Sequence, residues 1–341
     1  MKALLLLNGH EGCQTGIEDG FSNLLKTGVL DEVVWIYYAT LISGSSGASG
    51  WSNIYKTARN YQPDLIVIFH IGRLPIDRNL LIALKNLHSK PILVYDEHDM
   101  YGSFAKPITG SMKTIMRHAD VVSICGLGRF RDQIEKYNTN IIYTPHHADI
   151  ARFDNEPYVL EKRERRLTFV GNRIGRRFKS LPGARMRAKF IESMGKAFPD
   201  DLNVYGHGWD ACIGNRGTVD FYSQISVFKD SWITLSYEHY PEVPYYFSNR
   251  LPIALLAGSI YVHHNHDGYN NIFPSADFIF SYETTSQATD IIRYLMSLSN
   301  ESMLEKSWNA RNFSLKTFHP NVVWGTFLEN ILKIVNISNG Q

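Results

Sequence analysis

The chain of 341 residues is poor in cysteine, and its three cysteines, Cys13, Cys125 and Cys212, lie far apart. Their odd number and wide spacing fit neither a disulfide framework nor a zinc site, so we expect a reducing compartment. Charge of one sign is also scarce, because 35 basic and 33 acidic residues leave a net charge of +2. This balance lacks the basic footprint of nucleic-acid-binding proteins and of proteins that bind membranes electrostatically. We therefore expect no nucleic-acid partner and at most peripheral membrane association.

Long apolar runs are absent as well. No segment reaches the roughly eighteen consecutive apolar residues of a membrane helix. The apolar residues 3–7 are followed by the polar Asn8-Gly9-His10-Glu11. This run is too short for the hydrophobic region of a signal peptide and is typical of a buried first strand. The expected location is the cytoplasm.

Several common motifs are missing too. The sequence contains no G-x-G-x-x-G dinucleotide fingerprint, no Walker lysine motif and no G-x-S-x-G nucleophile elbow. Dinucleotide binding, P-loop chemistry and acyl-enzyme hydrolysis are therefore disfavoured. What the chain does contain is apolar residues (44%) and aromatic residues (13%) in amounts that can build a large core. The aromatic share suits stacking on sugars or bases, and it equally suits the packing of a large α/β core.

Short apolar runs alternate with helical patterns along the chain, which is typical of parallel sheets with helices on both faces. The predicted strands cover residues 3–7, 33–37, 65–69, 92–95, 121–124, 141–143, 167–170, 202–205, 232–235, 259–262 and 278–281. A charged stretch at residues 151–166 interrupts the pattern and indicates a crossover between domains.

The predicted fold class is therefore α/β, with two Rossmann-like doubly wound domains that face each other across a cleft. We expect a first domain at residues 1–152, a second at residues 153–318, and a C-terminal helix at residues 319–341 that could cross back to the first domain.

Residues 232–280 hold the strongest indication of a ligand site. Two predicted strands and the start of a helix occur there, and loops that follow parallel strands meet at one edge of the sheet, where ligands bind. Free N–H groups at the helix start and the guanidinium of Arg250 suit an anionic ligand. The candidate binding residues of this segment are Tyr237, Glu238, Ser248, Asn249, Arg250 and Gly258.

Two further loops of the second half follow predicted strands and contain glycine. In the first, Gly171, Asn172, Arg173 and Arg176 could bring backbone N–H groups and guanidiniums to a diphosphate, or could form a solvated basic loop. In the second, Gly206, His207 and Gly208 could let a ligand ring lie against the backbone, or could form a tight turn beside a buried tryptophan.

Titratable residues follow two strands of the first half. Glu97, His98 and Asp99 could act as a base, as substrate ligands or as a metal site. Neighbouring strand residues point to alternate faces, which disfavours a metal site. His10 and Glu11 follow the first strand and could accept a proton from a substrate hydroxyl, or could simply lie exposed in a glycine-rich turn.

The order of FVGNR, VYGHGW, FSNRLPIALLAGSIYV and a final FHP resembles the CgeB-like (spore maturation protein B-like) branch of the GT-B glycosyltransferases. In the first half, PDLIVIF, PILVYDEHD and ADVVSICG look like the matching acceptor-side domain. The resemblance covers most of the chain and is strongest at residues 167–332. It implies transfer of a sugar from a nucleotide-sugar donor (a UDP-, GDP- or CMP-sugar) to a glycan or lipid-linked acceptor, without an essential metal, in surface polysaccharide assembly.

The resemblance also implies roles for single residues. Arg250 would hold the donor diphosphate, residues 206–208 would line the nucleotide, and Gly171 and Arg173 would approach the donor phosphates. Members of the family often carry a glutamate three residues after this arginine, typically in contact with the ribose, but here the position is Ile253. Either Glu238 supplies the carboxylate or the ribose is recognised differently.

Two other interpretations remain open at this point. A nucleotide-sugar epimerase or hydrolase would act on the donor alone. A non-catalytic nucleotide-sugar-binding subunit is the other, and the departure at Ile253 is the feature that favours it. The sequence leaves the stereochemistry of transfer and the oligomeric state undetermined.

Overall fold

The computed structural model describes residues 1–43, 47–153, 163–174 and 180–338. Its chain divides into two compact units. The first consists of Met1–Gly102, Lys106–Pro145 and Pro320–Gln341, and the second of Ser103–Ala105 and His146–His319. The C-terminal residues thus belong to the first unit.

Strands and helices alternate along both units. The strands are β1 (Lys2–Leu7), β2 (Glu32–Tyr37), β3 (Leu65–Phe69), β4 (Ile92–Glu97), β5 (Val121–Ile124), β6 (Ile141–Tyr143), β7 (Glu164–Val170), β8 (Leu202–Tyr205), β9 (Ser231–Ser236), β10 (Ile260–His264) and β11 (Ile279–Tyr282). The helices are α1 (Thr15–Lys26), α2 (Tyr38–Ser43), α3 (Gly47–Tyr61), α4 (Arg78–Lys85), α5 (Gly110–His118), α6 (Arg129–Glu135), α7 (Ile150–Phe153), α8 (Ala184–Ala197), α9 (Gln224–Lys229), α10 (Arg250–Leu256), α11 (Tyr269–Ile272), α12 (Thr285–Ser297), α13 (Asn300–Thr317) and α14 (Pro320–Ser338).

The first unit is built on a six-stranded parallel sheet in the order β2-β1-β3-β4-β5-β6. Its central strands are apolar and buried along their length, as in Leu65–Phe69, because helices cover both faces. On one face, α14 packs against α1 and the sheet, and its Trp324 is fully buried against Phe21 and Phe69. The strand order reverses between β1 and β3, so ligand-binding loops are expected at the carboxyl ends of these two strands.

The second unit is built on a five-stranded parallel sheet in the order β11-β10-β9-β7-β8. Apolar clusters cover both faces, one including Phe169, Phe190 and Leu235 and the other Leu251, Leu255 and Phe318. Here the strand order reverses between β7 and β9. The carboxyl ends of β7 and β9 are therefore the expected ligand edge of this unit.

Each of the eleven predicted strands is present, with ends displaced by no more than a few residues. The prediction of an α/β protein with two parallel sheets is thereby confirmed. Among the helices within the described ranges, none combines the length and the hydropathy needed to span a membrane.

Candidate functional site

A cavity of about 310 Å³ opens at the carboxyl ends of β7 and β9, at the point where the strand order of the second sheet reverses. The lining includes much of the set predicted from sequence: Gly171, Asn172, Gly206, Glu238, Ser248, Asn249 and Arg250. These residues follow three strands, β7, β8 and β9, and the parallel sheet brings the ends of these strands to one edge.

Arg250 is the first residue of α10, and its side chain is held at the cavity wall by three hydrogen bonds. Nη1 donates to the carbonyl of Val170 (3.0 Å), Nη2 to Oε2 of Glu238 (3.0 Å) and Nε to Oγ of Ser248 (3.1 Å). The side chain is 15% exposed. Burial would lower the pKa of Arg250, but the Glu238 carboxylate raises it and keeps the guanidinium charged.

Glu238 lies immediately behind Arg250 and is almost fully buried. Its Oε1 accepts a hydrogen bond from Ser248 Oγ at 2.9 Å, and its Oε2 lies 3.7 Å from Nη2 of Arg187. Burial alone would raise the pKa of Glu238, but the guanidiniums of Arg250 and Arg187 outweigh it and bring the pKa to about 2. The carboxylate is therefore ionised at any physiological pH.

Arg187, on α8, is a site residue that sequence reasoning missed. It is 2% exposed, its Nε donates to the carbonyl of Tyr237 (2.5 Å), and its Nη1 contacts Nε2 of His239 (2.7 Å). Burial and the nearby charge of Arg250 lower the pKa of Arg187 to about 9. The signal in the sequence was an arginine on the apolar face of an amphipathic helix, because a charged side chain is rarely buried unless it is paired.

His239 shares this environment. Burial, and then repulsion from Arg187 and Arg250, lowers the pKa of His239 to about 3. The histidine is therefore neutral, and the buried cluster consists of two guanidiniums and one carboxylate. A site with this excess of positive charge favours an anionic ligand.

The two glycine loops pack against each other. The N–H of Gly171 donates to the carbonyl of Tyr205 (2.8 Å), and Oδ1 of Asn172 accepts from the N–H of His207 (2.9 Å). A Cβ at Gly171 would collide with Nη1 of Arg250, and one at Gly206 would collide with the carbonyl of Gly171. Glycine at these positions thus lets the Arg250 guanidinium lie directly on the backbone.

The start of α10 supplies less of the positive charge than the sequence predicts. The helix has seven residues, the N–H of Leu251 is already bonded to the carbonyl of Ser248 (3.0 Å), and Pro252 has no N–H to offer. The charge at this edge therefore comes mainly from the arginines rather than from free N–H groups of the helix.

Three other predicted binding residues, Arg173, Tyr237 and Gly258, do not line this cavity. Arg173 pairs with Glu192 on α8 (2.7 Å) and lies over the Trp209 ring (5.5 Å). The Tyr237 ring packs on His264 (4.6 Å) and contributes to the site through its carbonyl. Gly258 precedes β10, at the amino edge of the sheet, and its carbonyl accepts hydrogen bonds from Arg163 and Ser307.

Two hydrogen bonds link the glycine loops, one from the N–H of Arg173 to the carbonyl of His207 and one from the N–H of His207 to Asn172. Gly208, with φ of +83°, lies against the backbone of Arg173. Arg176 lies outside the described residues. Ile253, at the position where the resemblance implies a glutamate, is 1% exposed in the apolar cluster around α10.

The first unit has its own polar cluster at the end of β4. Glu97 is 1% exposed, and its carboxylate receives hydrogen bonds from Tyr95 Oη (2.5 Å) and from the N–H of Asp99 (3.0 Å). Its Oε1 also lies 2.5 Å from Nδ1 of His70, the residue that follows β3. Sequence reasoning missed His70, although its position directly after a buried strand was a usable signal.

His70 is one-third exposed and lines a cavity of about 680 Å³ together with Asn8, Arg73, Tyr101 and Lys106. Burial would lower the pKa of His70, but the carboxylates of Glu97 and Asp99 more than offset it, so the pKa is raised. A histidine fixed through Nδ1 by a buried carboxylate presents Nε2 for proton transfer.

The same cluster has the donor set of a possible metal site. The ligand atoms of His70, Glu97 and Asp99 lie within 4.8 Å of one another. Asp99, however, pairs with Lys106 Nζ at 2.8 Å, and Glu97 is held by Tyr95 and His70. Hydrogen bonds and an ion pair therefore satisfy these groups without a cation.

The remaining titratable candidates point elsewhere. His98 pairs with buried Asp96 (2.7 Å) and packs edge-on against the Trp324 ring (5.7 Å). Neighbouring strand residues alternate between faces, so His98 and Glu97 lie on opposite sides of the sheet. His10 and Glu11 are exposed in the turn after β1.

Comparison with known proteins places these observations in a family context. Residues 179–328 match the family model described as glycosyl transferase-like. This match covers the cavity-lining residues of the second unit from Arg187 to Arg250. No curated protein sequence matches the chain.

Among solved structures, the chain is similar to AviGT4, a glycosyltransferase involved in avilamycin A biosynthesis (TM-score 0.60, 15% identity, 98% of each chain covered). It is also similar to a glycosyltransferase from Rickettsia africae (TM-score 0.57, 14% identity, 98% of each chain). A third neighbour is Anabaena HepE in complex with UDP and glucose (TM-score 0.57, 13% identity, 97% of this chain and 99% of that one). These likenesses establish the GT-B fold, and together with the family match they support glycosyl transfer, the reaction predicted from the sequence.

Proposed function

We propose that the chain transfers a sugar from a nucleotide-sugar donor to a hydroxyl of a glycan or lipid-linked acceptor, in the manner of the CgeB-like glycosyltransferases. The donor diphosphate would lie in the cavity at the ends of β7 and β9. The observation that carries the proposal is the pair of guanidiniums, Arg250 and Arg187, around the single carboxylate of Glu238. This cluster retains one net positive charge for an anion.

The role of the arginines in sugar transfer follows from the negative charge that develops on the donor diphosphate. When the bond between the sugar and the phosphate breaks, negative charge grows on the leaving diphosphate. A preorganised guanidinium near that charge stabilises the transition state, and such electrostatic stabilisation is usually the largest single contribution to catalysis. Arg250 is preorganised in this sense, because its hydrogen bonds to the carbonyl of Val170 and to Ser248 hold the guanidinium at the cavity wall.

We propose that the acceptor binds to the first unit. This unit contains most of residues 1–152, the predicted acceptor-side domain. If transfer inverts the anomeric carbon, His70 is the best-placed base, because Glu97 fixes its Nδ1 and its cavity opens at the ends of β1 and β3. Of the bases predicted from sequence, Glu97 and Asp99 would orient His70 and stabilise the imidazolium that forms when it accepts a proton. His10 and Glu11 lie exposed in the turn after β1, and His98 pairs with Asp96.

UDP is the first nucleotide to test, because the structure of HepE contains UDP and glucose. We propose that transfer needs no metal, since the arginines supply the positive charge that a cation would otherwise provide. A cytoplasmic location is supported by three cysteines that are all free.

The proposal is tested by the variant Arg250→Gln, with Arg293→Gln, an exposed arginine on α12, as the matched control. Turnover is measured with UDP-, GDP- and CMP-sugars and a panel of glycan acceptors, with and without EDTA. We expect Arg250→Gln to lower turnover about a hundredfold or more and the control to match the wild type. EDTA should leave the rate unchanged.

Near wild-type transfer by Arg250→Gln would contradict the assignment of the donor site. Conversion of the donor without any acceptor would favour an epimerase or hydrolase instead. Tight nucleotide binding without turnover across all donors and acceptors would favour a non-catalytic binding subunit.

A further inference from the structure

We infer that Arg187 is a positioning residue of the donor site, which holds the Glu238 carboxylate while Arg250 turns to the anionic ligand. The inference rests on the proposed function and concerns the diphosphate group that all nucleotide-sugar donors share. It assigns a role to a residue of α8 that no motif in the sequence indicates.

The two arginines lie at unequal distances from the Glu238 carboxylate. Oε2 lies 3.0 Å from Nη2 of Arg250, within hydrogen-bond distance, and 3.7 Å from Nη2 of Arg187, which is beyond it. Nη2 of Arg187 is buried, and it has no hydrogen-bond partner within the described part of the chain. Arg187 therefore retains an unused donor beside a carboxylate that another arginine currently occupies.

Of the two arginines, only Arg250 can turn toward the cavity. Arg187 is 2% exposed and is tied by Nε to the carbonyl of Tyr237 and by Nη1 to His239. Both arginines line the cavity, but Arg250 is 15% exposed and, among the described residues, lacks such a tie to the core of α8. An anion that enters the cavity can therefore recruit Arg250 but cannot draw Arg187 out of the core.

If Arg250 turned away and nothing replaced it, the Glu238 carboxylate would be buried without a pairing cation. The carboxylate is 3% exposed, and a charge left unpaired at such a position strongly destabilises the protein. A shift of well under 1 Å would bring Nη2 of Arg187 within hydrogen-bond distance and avoid this cost. Without Arg187, the ligand and Glu238 would compete for the single guanidinium of Arg250.

The test is calorimetric binding of inorganic pyrophosphate to the full-length protein and to Arg187→Met, Glu238→Gln and the double variant. Arg185→Met is the matched control, since Arg185 is an exposed residue of the same helix. We expect Arg187→Met to bind pyrophosphate about tenfold more weakly and the control to bind like the wild type, because a hydrogen bond to a charged group is at stake. In the Glu238→Gln background the same substitution should cost less than about threefold, because no carboxylate remains to be held.

Equal losses from Arg187→Met with and without Glu238 would overturn the inference, because a purely structural or direct ligand-binding role predicts no such coupling. If Arg187→Met does not fold, Arg187→Lys replaces it. The lysine keeps a charge near Glu238 and should bind pyrophosphate no worse than about threefold below the wild type, while a tenfold loss would count against the inference.

Failure of the donor site is distinguishable from failure of this inference. If the wild-type protein does not bind pyrophosphate, or if Arg250→Gln binds it unchanged, the donor site and the inference both fall. If Arg250→Gln abolishes binding and Arg187→Met leaves it intact, only the inference falls.

Discussion

At the scale of single residues, the proposed donor site depends on the missing side chain at Gly171 as much as on the guanidinium of Arg250. The Arg250 guanidinium lies on the backbone of Gly171 and bonds the carbonyl of Val170. Any Cβ at Gly171 would occupy the space that this guanidinium fills. The glycine therefore fixes where the positive charge stands.

This predicts a defined phenotype for Gly171→Ala. The methyl group should displace the guanidinium and weaken UDP binding about tenfold or more, since one charged hydrogen bond is lost. Gly110→Ala is the control, because a Cβ there meets no atom within 4 Å. Calorimetric titration with UDP measures both, and an unchanged affinity in Gly171→Ala would contradict this placement of the guanidinium.

A second residue-scale prediction concerns His263, which is 3% exposed at the end of β10. Burial lowers the pKa of His263 to about 3 from an ordinary value of 6.5. The unfolded chain therefore takes up the proton first as the pH falls below 6.5, so this residue opposes folding progressively between pH 6.5 and 3. Protonation at this one position costs up to about 4 kcal/mol at the acid end of the window.

Urea unfolding of the wild type and of His263→Asn at pH 7 and pH 4.5 isolates this contribution, because the other titrating groups are the same in both proteins. The free energy of unfolding of the variant should fall less between the two pH values. An equal or steeper fall in the variant would show that His263 is not held neutral by the fold.

The residues that sequence reasoning found and those it missed differ in a physical way. Arg250, Glu238 and Gly171 could be predicted because each follows a strand or begins a helix, so position along the chain already indicates the ligand edge. Arg187 and His70 each had a weaker signal, an apolar helix face and the end of a buried strand, but their roles depend on partners from other segments, Glu238 for Arg187 and Glu97 for His70. The binding roles of Tyr237 and Arg173 stay predictions, and contacts with His264 and Glu192, which the sequence does not reveal, decide where these side chains point.

At the scale of elements, α14 does more for the first unit than its place at the end of the chain suggests. Its Trp324 is fully buried, and its ring contacts Phe21 on α1, Phe69 on β3 and Phe327 on α14 itself. Gly20 on α1 has no side chain, and a Cβ there would collide with the indole of Trp324. The helix thus closes one face of a sheet whose strands lie more than 170 residues earlier.

We therefore expect Trp324→Ala to destabilise the first unit by about 3–5 kcal/mol, the usual cost of removing a buried tryptophan. Trp308→Ala, at a residue of α13 that is 45% exposed, is the control and should cost far less. Urea unfolding measures both changes. A loss below about 1 kcal/mol for Trp324→Ala would mean that α14 contributes little to the core of this unit.

Element positions were the most predictable part of the fold. Strands such as β3 and β5 were predicted with the same ends as in the structure, because continuous apolar runs bounded by polar residues leave little choice. Strand β4 extends to Glu97, two residues beyond its predicted end, because Asp96 and Glu97 continue the pairing with the neighbouring strands, and their buried carboxylates pair with His98 and His70. Composition alone does not reveal such pairing.

At the scale of the whole molecule, two parallel sheets each reverse their strand order once, and each reversal carries polar side chains beside a cavity. The second unit offers an excess of guanidinium and the first a histidine paired with a carboxylate. This division suits a reaction that needs an anion held in one place and a proton accepted in another. The predicted domain limits and the facing arrangement of the domains stay predictions.

The most direct measurement of the central claim is a crystal structure of the protein with a bound UDP-sugar. The account predicts diphosphate oxygens about 3 Å from the Arg250 guanidinium, at the carboxyl ends of β7 and β9. Glu238 should then lie within hydrogen-bond distance of Arg187. A nucleotide bound at another surface, or with its diphosphate remote from Arg250, would contradict the account.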